Sequence, residues 1–134
     1  MKKTIEELLQ SPYWIIDILP FRVPDDSLGR YFALEPYFLQ SPDTARKKLG
    51  LILKLNCYRD LRYITQTEIS DSPTAAQLED WVKNTYLNIL VDGAMIVSDP
   101  SDHYMTVYGP EKELLDLLRA LAATEGLSVW QPEE

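Results

Sequence analysis

The second half of the chain alternates between segments with the two-residue period of β-strands and segments with the 3.6-residue period of α-helices. From residue 60 onward the predicted order is strand, helix, strand, strand, helix, strand. This order constrains the fold more than any other feature, because amphipathic helices and strands must bury their apolar sides against one another. The predicted strands are 60–67, 94–98, 104–108 and 127–130, and the predicted helices begin at Ser72-Pro73 and Gly109-Pro110-Glu111.

A βαββαβ order over about residues 60–131 is that of ferredoxin-like domains, whose two helices cover one face of an antiparallel sheet. The predicted fold class is therefore α+β. Residues 1–57 are expected to add a helix, one or two strands and another helix as an N-terminal extension. An alternative α+β arrangement, with a strand at 13–19 inside the same sheet, is also compatible with the pattern. Because domains contain about 100 to 200 residues, we expect residues 1–134 to form a single domain.

Proline and capping residues divide the N-terminal extension. Ser41-Pro42-Asp43 is a strong helix start, with Ser as the N-cap and Pro at the first helical position, and the apolar residues after it predict a helix to about Cys57. The other predicted elements are a short helix after Thr4, a strand over 13–19, a loop over 21–29 and a short strand over 31–34.

Residues 88–98 allow two interpretations. One is a hairpin that joins 88–91 to 94–98 through Asp92-Gly93, a frequent two-residue turn sequence. The other is a long helix from Ser72-Pro73 that ends just before Gly93, because the helical period continues through Ile89 and Leu90. The second interpretation is preferred.

The net charge of −8 is unevenly distributed. Residues 1–62 hold 8 acids and 10 bases, whereas residues 63–134 hold 13 acids and 3 bases. Because nucleic-acid affinity comes largely from Lys and Arg at phosphates, the acidic segment disfavours nucleic-acid binding. Any protein partner of this segment is expected to be basic or neutral.

Several classes of site are excluded by residue counts. Cys57 is the single cysteine and His103 the single histidine, so neither an internal disulfide nor a two-histidine metal motif is possible. The five glycines are dispersed and form no phosphate-binding loop. We therefore predict no metal and no cofactor. Without a signal-peptide core or an apolar run of about 18 residues, the chain is expected to be cytoplasmic, with no membrane partner.

Alternation along the strands suggests one sheet face made of Tyr, Thr and Trp. Its predicted members are Tyr63, Tyr104, Thr106, Tyr108 and Trp130. The helices would then cover the aliphatic side, which contains Ile64, Met105, Val107, Leu127 and Val129. The aromatic face is explained either as core, as a protein or self-association surface, or as a base-stacking surface. The acidic segment and the missing RNA-recognition motif argue against base stacking.

Two polar residues are candidates for a pocket. Asp17 lies inside the apolar segment 13–19, where a carboxylate must either face solvent or be buried with a partner. Arg22, Arg30 and Lys54 are the expected partners. His103 ends a turn-rich loop and is a possible general base.

The segments YWIIDILP (13–20), YMTVYGP (104–110) and LSVWQP (127–132) resemble a family of small acidic bacterial proteins of unknown function. The resemblance covers most of the chain. It implies a bacterial, cytoplasmic setting and no particular activity or functional residue.

The preferred functional hypothesis is a non-enzymatic protein-interaction or regulatory domain. One version is an acidic inhibitor or immunity-type protein that neutralises a basic partner, since opposite charges accelerate encounter. Self-association is the other expected mode. The alternative hypothesis is a small-molecule-binding protein or enzyme. Its pocket would lie between the sheet and the N-terminal segment and would use Asp17, Tyr63, Tyr104 and His103.

Overall fold

The computed structural model describes residues 4–132, which contain five α-helices and seven β-strands. The helices are α1 (Ile5–Leu9), α2 (Leu28–Gln40), α3 (Pro42–Asn56), α4 (Ala75–Asn84) and α5 (Lys112–Thr124). The strands are β1 (Tyr13–Asp17), β2 (Arg62–Ile64), β3 (Ile69–Ser70), β4 (Leu87–Val91), β5 (Ala94–Ser98), β6 (Met105–Tyr108) and β7 (Ser128–Trp130). A short 3-10 turn, Asp25–Ser27, precedes α2.

All seven strands form one sheet in the order β3-β2-β4-β5-β6-β1-β7, and every neighbouring pair is antiparallel. The predicted α+β class, with an antiparallel sheet packed by helices, is confirmed. The strand order is not the predicted ferredoxin-like one: β1 from the N-terminal segment lies between β6 and β7, and β4 lies between β2 and β5. The alternative with strand 13–19 inside the same sheet is the arrangement observed.

The predicted long helix before Gly93 is wrong, since α4 ends at Asn84 and β4 follows it. β4 pairs with β5 through Asp92 and Gly93, whose φ angles of 48° and 77° suit a two-residue hairpin turn. β4 also pairs with β2 on its other side. These two ladders satisfy the backbone of β4 and bury Leu87, Ile89 and Val91, which outweighs the local helical period.

The predicted strand over 31–34 is also wrong, because these residues belong to α2, which continues past Pro36. Tyr31 and Glu35, one helical turn apart, are hydrogen-bonded to each other. Tyr31 and Phe38 both place their rings against His103. These ring contacts join the helix to a distant loop, which the local pattern does not contain.

The core lies between one sheet face and the helices α3, α4 and α5. Tyr63 belongs to this face, because it is paired with Ile89, which is paired with Ile96 in the next strand. All three side chains are fully buried. The prediction that Tyr63 lies on the same face as Tyr104 was therefore wrong, as was the placement of Ile64 against the helices.

The opposite sheet face is covered in part. Leu8 of α1 is buried and lies beside Gly109, just after β6. Beyond α1, the face formed by β6, β1 and β7 borders residues 19–31, which leave a cleft above it. No helix within residues 4–132 is both long and apolar enough to span a membrane.

Candidate functional site

A cavity of about 580 Å³ opens between this uncovered sheet face and the segment 19–31. Its floor comes from β1, β6 and β7, and its wall from the chain between β1 and the first turn of α2. Floor residues are Tyr13, Ile15, Asp17, Tyr104, Thr106, Tyr108 and Trp130, and wall residues include Phe21, Arg22, Val23, Leu28 and Tyr31. The name "cleft" is used below for this cavity.

The strand register explains why these floor side chains meet. Tyr13 is directly opposite Tyr108, and Ile15 lies between Thr106 on one side and Trp130 on the other. Directly opposite residues in antiparallel strands project from the same face. The rings of Tyr13 and Tyr108 are 5.6 Å apart between centroids. The floor is therefore aromatic at one end.

Four of the five residues predicted for the Tyr/Thr/Trp face line this cleft: Tyr104, Thr106, Tyr108 and Trp130. Tyr63 lies on the other side of the sheet against Trp81, with ring centroids 6.2 Å apart. Its hydroxyl is buried and has no hydrogen-bond partner in the described structure, and burial raises the pKa of Tyr63 to about 12. Tyr63 is therefore a core residue and contributes nothing to the cleft.

Asp17 and His103 form a buried pair at the other end of the floor. The Nδ1 atom of His103 lies 2.9 Å from Oδ1 of Asp17, and each residue is 3% exposed. Ile16 is opposite Met105, so the last residue of β1 is brought beside the loop that precedes β6. None of the predicted cationic partners contacts Asp17.

Those three cations have other partners. Arg22 contacts Asp25, Arg30 donates to the Ser27 hydroxyl, and Lys54 contacts Glu125. The partner of Asp17 was detectable in principle, because an antiparallel pairing of 13–17 with 105–108 places it next to the single histidine. The sequence pattern did not show that these strands are neighbours.

The Asp17–His103 pair continues as a hydrogen-bond chain into α2. Nε2 of His103 lies 2.6 Å from the Tyr31 hydroxyl, and that hydroxyl donates to Oε2 of Glu35 at 2.8 Å. Burial, followed by the hydrogen bond to Glu35, raises the pKa of Tyr31, so this phenol keeps its proton.

Three contacts link Asp17, His103, Tyr31 and Glu35 in series, so a continuous path of hydrogen-bonded side chains runs beside the cleft from β1 to α2.

Aromatic rings fix the orientation of the imidazole. Tyr31, Phe38 and Tyr104 contact the His103 ring in edge-on arrangements, with centroids 5.6 to 5.8 Å apart. Tyr31 and Phe38 were not among the site residues predicted from the sequence. A helical assignment of 28–40 would have placed Tyr31, Glu35 and Phe38 on one side, which is the signal that was available.

Lys48 of α3 is a second residue that was missed. It is 4% exposed, and its Nζ donates to the backbone carbonyls of Asp99 and Asp102 at 3.1 and 2.5 Å. Burial lowers the pKa of Lys48 to about 8. The ammonium holds the loop that carries His103, so Lys48 acts as a positioning residue.

The helical period contained this signal. Lys48 lies on the buried stripe of α3. The other residues of this stripe are Thr44, four positions before Lys48, and Leu51, Ile52 and Leu55, three, four and seven positions after it. A lysine on such a stripe must find buried acceptors for its ammonium.

Carboxylates are concentrated near the Asp17 end of the cleft. Burial and four nearby carboxylates raise the pKa of Tyr104; in decreasing order of effect they are Asp102, Asp17, Asp99 and Glu35. Within residues 4–132, no three His, Cys, Asp or Glu side chains are arranged to hold a metal ion.

Comparison of the sequence with protein-family models found no match, and neither curated proteins nor solved structures showed significant similarity to it. The resemblance of segments 13–20, 104–110 and 127–132 to small acidic bacterial proteins therefore stays a prediction. The geometry of the cleft is the feature that points to a function.

Proposed function

We propose that this protein binds a small organic molecule in the cleft between the uncovered sheet face and residues 19–31. The observation that carries this proposal is that an aromatic floor and a buried Asp17–His103 pair open into the same cavity. Small-molecule sites typically combine apolar and aromatic walls with a few oriented polar groups. A volume of about 580 Å³ is within the range of about 300 to 1,000 Å³ typical of such sites.

The exposure of the aromatic floor supports this proposal over a purely structural role. Tyr13 is 42% exposed, and Tyr104, Tyr108 and Trp130 are only half-buried. A ligand between the floor and the wall would remove this apolar surface from water, which favours binding by about 25 cal/mol per Å². The hydrogen-bond chain from Asp17 through His103 and Tyr31 to Glu35 holds the polar groups at this end of the cleft in place.

The test is to block the cleft without touching its polar end. Thr106→Trp places a large side chain at the centre of the floor, whereas Thr67→Trp makes the same change in the exposed loop between β2 and β3. Soluble ring-containing fragments are screened by ligand-observed NMR against the wild type and both variants. We expect fragments that bind the wild type to lose binding to Thr106→Trp at least tenfold and to keep it with Thr67→Trp. Absence of any hit, or equal binding by both variants, contradicts the proposal.

A second candidate function is protein interaction through α2. This helix has no buried residue, and Phe32, Leu34 and Tyr37 are 61%, 51% and 72% exposed. Exposed apolar patches of this kind are typical of protein interfaces. The partner would be a second copy of the chain or a basic protein, as for an acidic inhibitor or immunity-type protein, since the net charge is −8.

The interaction proposal is tested with Phe32→Ser/Tyr37→Ser, which reduces the apolar surface of α2 outside the cleft. Sedimentation velocity over a hundredfold concentration range measures self-association, and affinity capture from the native host measures partner binding. We expect one of the two to be present in the wild type and lost in the variant. A strictly monomeric wild type that retains no basic protein contradicts this function.

A further inference from the structure

Asp17 presents one carboxylate oxygen to the cleft. The residue lines the cavity and is 3% exposed, and its Oδ1 is hydrogen-bonded to His103. No residue among 4–132 donates a hydrogen bond to its other oxygen, Oδ2, and Oδ2 is not one of the fully buried atoms that lack a partner, so it is accessible from the cleft. A ligand that brings an N–H donor to Oδ2 can therefore form a charge-assisted hydrogen bond with it.

The charges around this end of the cleft determine which charge a bound ligand should carry. The phenol of Tyr104, which is part of the floor, has its pKa raised by four nearby carboxylates. They belong to Asp17, Glu35, Asp99 and Asp102. The basic groups near these four carboxylates are the Lys48 ammonium and the His103 ring. The ammonium is bound to two backbone carbonyls. Among these four carboxylates Asp17 lines the cleft, whereas Glu35, Asp99 and Asp102 lie outside its lining and add to the negative potential near Tyr104, which attracts cations.

Arg22 is the one Lys or Arg of the cleft wall within residues 4–132, and it does not reverse this sign. Its side chain is 63% exposed and contacts Asp25 outside the floor. Solvent screens such an exposed pair. The potential at Asp17 is therefore set by the buried carboxylate and its neighbours.

The aromatic floor suits the rest of a cationic ligand. Tyr104 lies beside Asp17, and Tyr13 and Tyr108 form a ring pair at the far end. Aromatic faces attract organic cations and also pack well against flat apolar groups. The indole N–H of Trp130, between these two ends, is buried without a partner in the described structure.

We propose that the cleft binds an organic ammonium compound with a flat apolar body, whose ammonium group contacts Oδ2 of Asp17 and whose body lies on Tyr13, Tyr104 and Tyr108. This inference rests on the proposed ligand-binding function and specifies the ligand class. It assigns the charged end of the ligand to the Asp17 end of the cleft and the apolar end to the Tyr13–Tyr108 ring pair.

Three probes with the same aromatic body and different heads test the assignment: 2-phenylethylamine, 2-phenylethanol and 3-phenylpropionate. Each is titrated into the wild-type chain of residues 1–134 at pH 7 and followed in ¹H–¹⁵N spectra, with the Trp130 indole signal as the reporter of the cleft. We expect the amine to bind about tenfold more tightly than the alcohol, because it adds a charged hydrogen bond and a cation–π contact. The carboxylate should bind most weakly.

Asp17→Asn removes the charge and keeps a side chain of the same shape, and Asp80→Asn makes the same change on the exposed side of α4. The amine and the alcohol should bind Asp17→Asn with similar affinity, whereas Asp80→Asn should keep the tenfold preference. If Asp17→Asn does not fold, Glu35→Gln is tested in its place. We expect Glu35→Gln to reduce the preference for the amine over the alcohol two- to threefold. Glu35 accepts from Tyr31, and a glutamine oxygen can do the same.

Equal binding of the amine and the alcohol to the wild type, or tightest binding of the carboxylate, overturns the ammonium assignment and leaves the ligand-binding function standing. A preference for the amine that survives in Asp17→Asn also overturns it. If none of the three probes shifts the Trp130 indole signal, the ligand class is wrong. The function then depends only on the Thr106→Trp screen.

Discussion

The Nδ1 atom of His103 lies 2.9 Å from Oδ1 of Asp17, and both side chains are almost completely removed from solvent. These two residues are 86 positions apart in the chain. Their contact joins the end of β1 to the loop before β6, and it places both residues at one end of the cleft floor. The pair therefore links the stability of the sheet to the geometry of the site.

Because Asp17 and His103 are in contact, substitutions at the two positions are expected to change the free energy of unfolding in a strongly non-additive way. His103→Leu should reduce the free energy of unfolding by about 3 kcal/mol or more, because it leaves a buried carboxylate without its partner. The double variant Asp17→Leu/His103→Leu removes both polar groups and should be more stable than His103→Leu alone. Urea unfolding of the two single variants, the double variant and the wild type measures the cycle. Additive effects would show that the two residues do not interact.

The buried Lys48 ammonium predicts a stability that rises with pH. Burial lowers its pKa from 10.5 to about 8 in the folded state, so between these values the unfolded chain binds more protons than the folded chain. Stability linked to Lys48 must therefore increase as the pH rises from 8 toward 10. Relative to Lys48→Met, the wild type should gain about 2 kcal/mol of unfolding free energy between pH 7 and pH 10. Parallel pH profiles of the two proteins would contradict the burial of this ammonium.

The hydrogen-bond chain predicts a specific NMR response to Tyr31→Phe. His103 is the only histidine, so its two ring nitrogens are assigned without ambiguity. Loss of the Tyr31 hydroxyl should shift the ¹⁵N resonance of Nε2 strongly and that of Nδ1 weakly, and should cost about 1 kcal/mol of stability. Tyr37→Phe, on the exposed side of the same helix, is the control and should leave both resonances unchanged. Equal shifts at the two nitrogens would indicate a different hydrogen-bond pattern.

Substitution by alanine is expected to have opposite effects on stability at Gly93, in the β4–β5 turn, and at Gly29, in α2. Neither Gly93 nor Gly29 has a heavy atom within 4 Å of an added Cβ, but Gly93 has a φ of +77°. Gly93→Ala should therefore destabilise the protein by about 1 to 2 kcal/mol through backbone strain alone. Gly29→Ala, in the first turn of α2, should stabilise it by about 0.5 to 1 kcal/mol. Thermal unfolding measures both, and a stable Gly93→Ala variant would mean that residues 87–98 do not form this turn.

Elements with strong local signals were predicted correctly from the sequence. The helix from Ser41-Pro42 was expected to end near Cys57 and is observed as Pro42–Asn56, with the Ser41 side chain accepting from the backbone N–H of Asp43. The 94–98 and 104–108 strands are neighbours in the sheet, as expected. These predictions succeed because a cap, a proline or a strand-length apolar run acts within a few residues.

Elements whose structure depends on distant partners were predicted incorrectly. Residues 88–91 continue a helical period, but pairing with β2 and β5 makes them a strand. Residues 31–34 resemble a strand, but contact with His103 accompanies their helical structure. The face of Tyr63 depends on its register with Ile89, and a shift of one residue would have reversed it.

The sequence by itself determined the α+β class, the uneven charge and six of the fifteen residues among 4–132 that line the cleft. It named Asp17, His103, Tyr104, Thr106, Tyr108 and Trp130 as candidates. Only the tertiary structure decided that Asp17 contacts His103, that Tyr31, Glu35 and Lys48 support this pair, and that Tyr63 lies elsewhere. The physical reason is that periodicity is a local property, whereas the insertion of β1 between β6 and β7 depends on hydrogen bonds and burial between residues far apart in the chain.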